Sequence, residues 1–200
     1  MSEAQVPGVS VEEAAGAVFP LIVLVGAPGT GKSEVAAALG QWLSLPVTES
    51  EALVEQRLGA ALPELMIDDP EGALEALNHG AVEVLHTGGG SNGGVVTLSS
   101  SAPLDAQVQA ALGDAKNRGA SVVVLTASLG TLVRRIGLNA PQPPGLGTPR
   151  AWFRSHLRLL EEAYLRIGDY WCDTDRCDPR ACAQQIAENL GLPTEGRHED

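Results

Sequence analysis

Gly26-Ala27-Pro28-Gly29-Thr30-Gly31-Lys32-Ser33 sets glycines, a lysine and a hydroxyl in the spacing G-x-x-x-x-G-K-S. Glycine permits a tight backbone turn where a Cβ would clash. Such a turn aims successive N–H groups inward and forms a cradle for phosphate oxygens. In this pattern the lysine reaches the β- and γ-phosphates of a nucleotide, and the serine hydroxyl holds Mg²⁺. Gly26, Gly29, Thr30, Gly31, Lys32 and Ser33 are therefore the expected nucleotide contacts, with ATP and Mg²⁺ as the expected ligands. Ser33 is a candidate metal ligand.

The flanking residues supply the elements such a loop needs. Leu21-Ile22-Val23-Leu24-Val25 is an unbroken apolar run, as a strand buried on both faces requires. Ser33-Glu34-Val35-Ala36-Ala37-Ala38-Leu39 is Ala-rich, with Val35 and Leu39 four apart, and reads as the following helix. That helix's dipole and Lys32 supply positive charge for an anionic ligand.

The chain has 200 residues and a formal charge of −12. Its length suits one α/β domain. Thirteen scattered cations build no basic face, which argues against a nucleic-acid binder. No apolar stretch reaches membrane-spanning length. The first twenty residues lack Lys and Arg, unlike a secretory signal, so a cytoplasmic location is expected. Cys172, Cys177 and Cys182 fit no common zinc spacing and are expected to be reduced structural thiols.

Residues 1–17 read as a mobile acidic lead, 18–192 as the domain, and 193–200 as a flexible tail. Strands are expected at 21–25, 45–48, 95–98, 121–126 and 170–173. Leu53, Val54, Leu58 and Leu62 recur at helical spacing. Leu74, Leu77, Val82 and Leu85 predict a second helix begun by Asp69-Pro70, with proline at its first position. Phe153, Leu157, Leu160 and Tyr164 mark one face of a long helix, and Asp178-Pro179 starts the last. Residues 88–94 read as a glycine-rich loop, and 139–148 as a Pro/Gly-rich segment without helix or central strand. This alternation predicts a three-layer α/β/α fold around a parallel sheet of about five strands.

From about Phe19 to Leu192 the chain resembles shikimate kinases, within the nucleoside-monophosphate-kinase-like P-loop folds. The resemblance rests on Gly26–Ser33, Val54-Glu55-Gln56-Arg57-Leu58-Gly59, Arg134-Arg135, Asp173-Thr174 and Asp178-Pro179. It implies that Arg135 and Pro179 flank an adenine; their other reading is a solvated helix residue and a helix starter. Where the family carries D-x-D after its second strand, this chain has Glu49-Ser50-Glu51. The resemblance makes Glu49 a candidate magnesium partner and places Glu49 and Glu51 beside the acceptor hydroxyl, with Lys32, as catalytic candidates. Their other reading is as acids capping the following helix.

Other family marks are replaced. The F-R that grips the shikimate carboxylate aligns with Leu74-Glu75. The G-G-G segment aligns with Ser99-Ser100-Ser101, leaving 88–94 as an insertion. The lid R-P reads Gln142-Pro143, and the long-helix arginine falls on Leu160. Arg150, Arg154 and Arg158 form a stripe at helical spacing that could face the cleft or pair with Glu161 and Glu162 in solvent. The expected function is therefore an ATP-dependent phosphotransferase resembling shikimate kinase that acts on a small-molecule hydroxyl, with shikimate itself not favoured as the acceptor. The alternative is a catalytically degenerate relative that binds nucleotide and acts through a protein partner.

Overall fold

The computed structural model describes residues 20–88, 93–138 and 149–192. The expected lead at 1–17, the tail at 193–200, Gln142-Pro143 and most of the glycine-rich loop lie outside them.

Five strands form one parallel sheet: β1 (Leu21–Gly26), β2 (Val47–Glu49), β3 (Gly94–Thr97), β4 (Ser121–Thr126) and β5 (Tyr170–Asp173). Their spatial order is β2-β3-β1-β4-β5, so β1 lies at the centre. Ile22 pairs with Val95 on one side and with Ser121 on the other. Parallel neighbours need crossovers, and helices supply them.

The apolar runs are continuous because both faces of each strand are covered. Val23, Val25, Val96, Val122 and Val124 turn to one face, where Leu85, Leu112 and Leu160 close the core. Ile22, Leu24, Val95, Val123 and Leu125 turn to the other, against Leu39 and Ile186. The second face is covered by α1 (Lys32–Leu43) and α8 (Pro179–Asn189); the first is covered largely by α4 (Pro70–Thr87), α5 (Ala106–Asn117) and α7 (Pro149–Ile167). The expected three layers and five strands are all present.

Helix starts follow the local chemistry. Asp69 accepts a hydrogen bond from Gly72 N and precedes Pro70, and Asp178 accepts one from Ala181 N and precedes Pro179. One expectation changes, and two helices are added. The Leu53–Leu62 run is not one helix: Gly59, in a left-handed conformation with φ 65°, ends α2 (Ser50–Leu58), and α3 (Leu62–Asp68) begins beyond it. Helix α5, unassigned in the sequence reading, starts at Asp105, whose carboxylate accepts from Gln107 N and Val108 N. A short helix, α6 (Leu129–Arg135), follows β4.

Candidate nucleotide site

The chain leaves the central strand at Gly26 and turns sharply before α1. A Cβ on Gly26 would come within 2.7 Å of Leu125 O and of Thr30 Oγ1. Gly29 and Gly31 lie at φ 85° and 84°, which side-chain-bearing residues avoid. Thr30 closes the turn from inside, its hydroxyl donating to Ala27 O at 2.8 Å. The start of α1 has no side-chain cap. Its first backbone N–H groups are thereby left to an anion, as a phosphate cradle requires.

A cavity of about 620 Å³ opens at this end of the sheet, with Gly29, Thr30, Gly31, Lys32 and Ser33 on its wall. Lys32 reaches inward, its Nζ donating to Gly26 O at 3.1 Å and to Ser100 Oγ at 3.0 Å. Burial pulls its ammonium below the ordinary lysine value, against the opposing pull of Glu51, Glu49 and Glu34. Among the described residues Lys32 forms no ion pair. An enclosed cation held by neutral oxygens is what a phosphate would compensate.

Glu49 lies at the end of β2, and the Ser33 hydroxyl donates to its Oε2 at 2.8 Å. The two predicted magnesium partners thus adjoin, one hydroxyl and one carboxylate, a hard-oxygen donor pair suited to that ion. Glu51, one residue into α2, is on the cavity wall, while Glu49 meets the site through Ser33.

Arg135 ends α6 and also lines the cavity. Its Nη1 donates to Gly29 O and to Thr174 Oγ1, each at 3.1 Å, and its Nη2 donates to Thr174 O at 3.0 Å. It brackets the phosphate loop against the β5–α8 turn rather than standing free in solvent. Pro179 opens α8 and lines the same cavity. Sequence reasoning brought these two together; it missed Thr174 as the group that holds Arg135.

The other end differs. Ser99–Ser101 do follow β3, as the alignment with the family glycines required, and Gly88 ends α4 instead. Ser99 is buried with no partner for its hydroxyl among the described residues, while its backbone N–H donates to Ser50 Oγ at 3.2 Å. Ser100 is fixed from two sides, by Lys32 and by the Tyr164 hydroxyl, which donates to Ser100 O at 2.8 Å. Tyr164 resists ionisation because it is buried. Its place on the apolar face of α7 hid this role.

Glu75 is exposed on α4, as are Arg150, Arg154 and Arg158 on α7, and none of the four lines the cavity. Leu160 is fully buried in the core. Arg57, inside the family-like segment, pairs with Glu83 of α4, and Glu55 accepts from Leu62 N at 2.7 Å. That segment therefore ties α2 to α3 and α4. Among the described residues Lys32 and Arg135 are the cations on the cavity wall.

The expectation of three reduced thiols is overturned for two of them. Cys177 and Cys182 form a disulfide, and Cys172 is free and buried. The turn into α8 brings their Cα atoms to 5.7 Å, inside the range a disulfide spans.

Comparison with known proteins accords with this geometry. Residues 28–191 match the family model for shikimate kinase. The shikimate kinase of Thermobifida fusca is 33% identical over 171 residues, covering 86% of this chain and 95% of that protein. That of Salinispora tropica is 32% identical over 171 residues, with 86% and 98% covered. The structure of shikimate kinase from Acinetobacter baumannii, in complex with shikimate, superposes with a TM-score of 0.71 over 86% of this chain and 93% of that one, at 22% identity. A phosphate loop on the central strand of a five-stranded parallel sheet, and matches spanning nearly the whole domain, agree: the chain belongs to the shikimate kinase family.

Proposed function

We propose that this protein is an ATP-dependent kinase that transfers a phosphoryl group to a hydroxyl of a small, non-anionic metabolite. Family membership supports the small-molecule kinase reading. The observation that carries the acceptor class is the cavity wall: Glu51 stands on it, and its cations among the described residues are Lys32 and Arg135, both at the nucleotide end. A carboxylate-bearing acceptor would find no partnering cation on the cavity wall away from the nucleotide end among the described residues.

The loop N–H groups and Lys32 bind and orient the phosphates, and Lys32 offsets charge that builds on the transferring group. Ser33 and Glu49 would hold Mg²⁺, which neutralises phosphate charge when bound. Glu51 accepts a hydrogen bond from the acceptor hydroxyl and takes its proton as the bond to phosphorus forms. Arg135 and Pro179 bracket the base. A cytoplasmic location, where ATP is available, accompanies this reading. Action through a protein partner without transfer is not favoured, because family membership supports transfer.

The test is ADP release in a coupled assay over shikimate and a panel of neutral and cationic alcohols, with Lys32→Ala as control. A non-anionic alcohol is expected to exceed shikimate in kcat/KM by about tenfold or more, one lost charge-assisted clamp being worth at least that much. Shikimate as the best acceptor overturns the acceptor class. No turnover above the control for any alcohol overturns the kinase reading.

A further inference from the structure

Three sulfurs gather at the base-binding end of the cavity. Cys172 is the penultimate residue of β5, Cys177 lies in the following turn, and Cys182 lies in the first turn of α8; their Sγ atoms are all within 4.8 Å of one another. Cys177 and Cys182 both line the cavity, beside Thr174 and Pro179. They differ in access. Cys182 and Cys172 are fully enclosed, whereas Cys177 retains exposed surface. Burial, with Asp173 alongside, pushes the Cys172 thiol up, so it stays protonated and is a poor nucleophile.

The pair sits where its bonding state bears on the ligand. Thr174 is fixed to the sheet, its N–H donating to Thr126 O at 2.8 Å, and it holds Arg135. Pro179 lies inside the short ring closed by Cys177 and Cys182. With the bond formed, the turn that carries Thr174 and the helix start that carries Pro179 are covalently tied. With the bond reduced, that ring regains backbone freedom, and a ligand must then order it.

We propose that Cys177 and Cys182 are a thiol–disulfide exchange site, open to low-molecular-weight disulfides and thiols, whose oxidised form binds nucleotide more tightly. The inference rests on the nucleotide reading given above. The chemistry balances without a metal. The Cys177 thiolate attacks one sulfur of a small disulfide RSSR, and RS⁻ leaves, giving a mixed disulfide. The Cys182 thiolate then attacks Cys177 Sγ and expels the second RS⁻. Two protein thiols are oxidised, one RSSR is reduced to two RSH, and the two thiol protons pass to the departing thiolates. An excess of RSH reverses both steps.

The experiment equilibrates the full chain with oxidised glutathione or with reduced glutathione, counts thiols after unfolding in denaturant, and titrates ADP by calorimetry. One free thiol is expected in the oxidised form and three in the reduced form. Reduction is expected to weaken ADP binding by roughly 3- to 10-fold. Cys182→Ser is expected to bind as the reduced protein does under both conditions, and Cys172→Ser to keep the full difference. Three thiols under both conditions overturn the inference, as does an unchanged redox response in Cys182→Ser. Equal ADP affinity in the two forms overturns the inference alone. ADP binding to neither form overturns it together with the nucleotide reading.

Discussion

At the phosphate end of the cavity the ligand-facing groups are mostly backbone: a glycine turn, the uncapped start of α1, and one lysine and one serine placed by that turn. At the proposed acceptor end they are side chains, Glu51 of α2 on the cavity wall and Ser100 of the turn after β3 against Lys32. The first end keeps the G-x-x-x-x-G-K-S pattern whole, whereas at the second the resemblance places other residues where the family has arginines. A backbone site tolerates little change, because a Cβ at Gly26 would strike Leu125 O. A side-chain site can be replaced one position at a time while the helices stay put. Leu160, which the resemblance aligns with a family arginine, illustrates this: it is part of the core between α7 and the sheet.

Restoring that arginine is the strongest challenge to the contrast. Leu160→Arg is expected to destabilise the fold by about 4 kcal/mol, because it buries an unpaired charge. Urea unfolding measures it, and a fold of unchanged stability would mean that Leu160 borders the cleft. Next in size is the phosphate end itself. Lys32→Ala is expected to lower kcat/KM by about 10²–10³-fold with the best acceptor, as loss of a single electrostatic stabiliser does. Glu49→Gln should weaken Mg²⁺ by about 10- to 100-fold, read as the Mg²⁺ concentration for half-maximal rate. Arg135→Ala should weaken ADP about tenfold and leave Mg²⁺ dependence unchanged, since its partners are Gly29 and Thr174.

The smallest effect concerns the free protein. Lys32 has a lowered pKa through burial, so the folded state sheds that proton before the unfolded chain does. Its charge costs stability in full below the lowered value, and the cost fades as pH rises from there toward 10.5. Lys32→Met is therefore expected to raise the Tm of the unliganded protein by roughly 2–4 °C at neutral pH, the shift of about 1 kcal/mol in a domain of this size. The gain should shrink in alkaline buffer. A lower Tm at neutral pH would show that the lysine stabilises the loop instead.

The same contrast explains what could be read from the sequence. Gly26–Ser33 and the apolar runs were legible because backbone sites leave glycine spacing and buried strands leave continuous Val, Ile and Leu. Asp69-Pro70 and Asp178-Pro179 were legible because caps are local. Helix α5 was missed although its cap, Asp105, is equally local, because Ala106–Asn117 is Ala- and Gln-rich with few large apolar residues to mark a face. Thr174 and Tyr164 were hidden for another reason. Each acts on a residue distant in sequence, Arg135 and Ser100, and only the folded sheet brings them together. The disulfide was hidden likewise, since its five-residue spacing matches no common motif and only the turn into α8 closes the distance.

The strand order has a kinetic side. Among the described strands β1 precedes the other four in the chain, yet it occupies the middle of the sheet. Its partners come late: Leu21 waits for Gly94, and Ile22 waits for Ser121 as well. Until then a wholly apolar strand has both edges open, and closing those long loops slows folding. A nascent chain halted before Ser121 would expose Leu21–Gly26 on one side and present a surface for holdase chaperones or for aggregation. The phosphate loop attached to that strand is thus synthesised before the strands that flank it and reaches its final shape only after them.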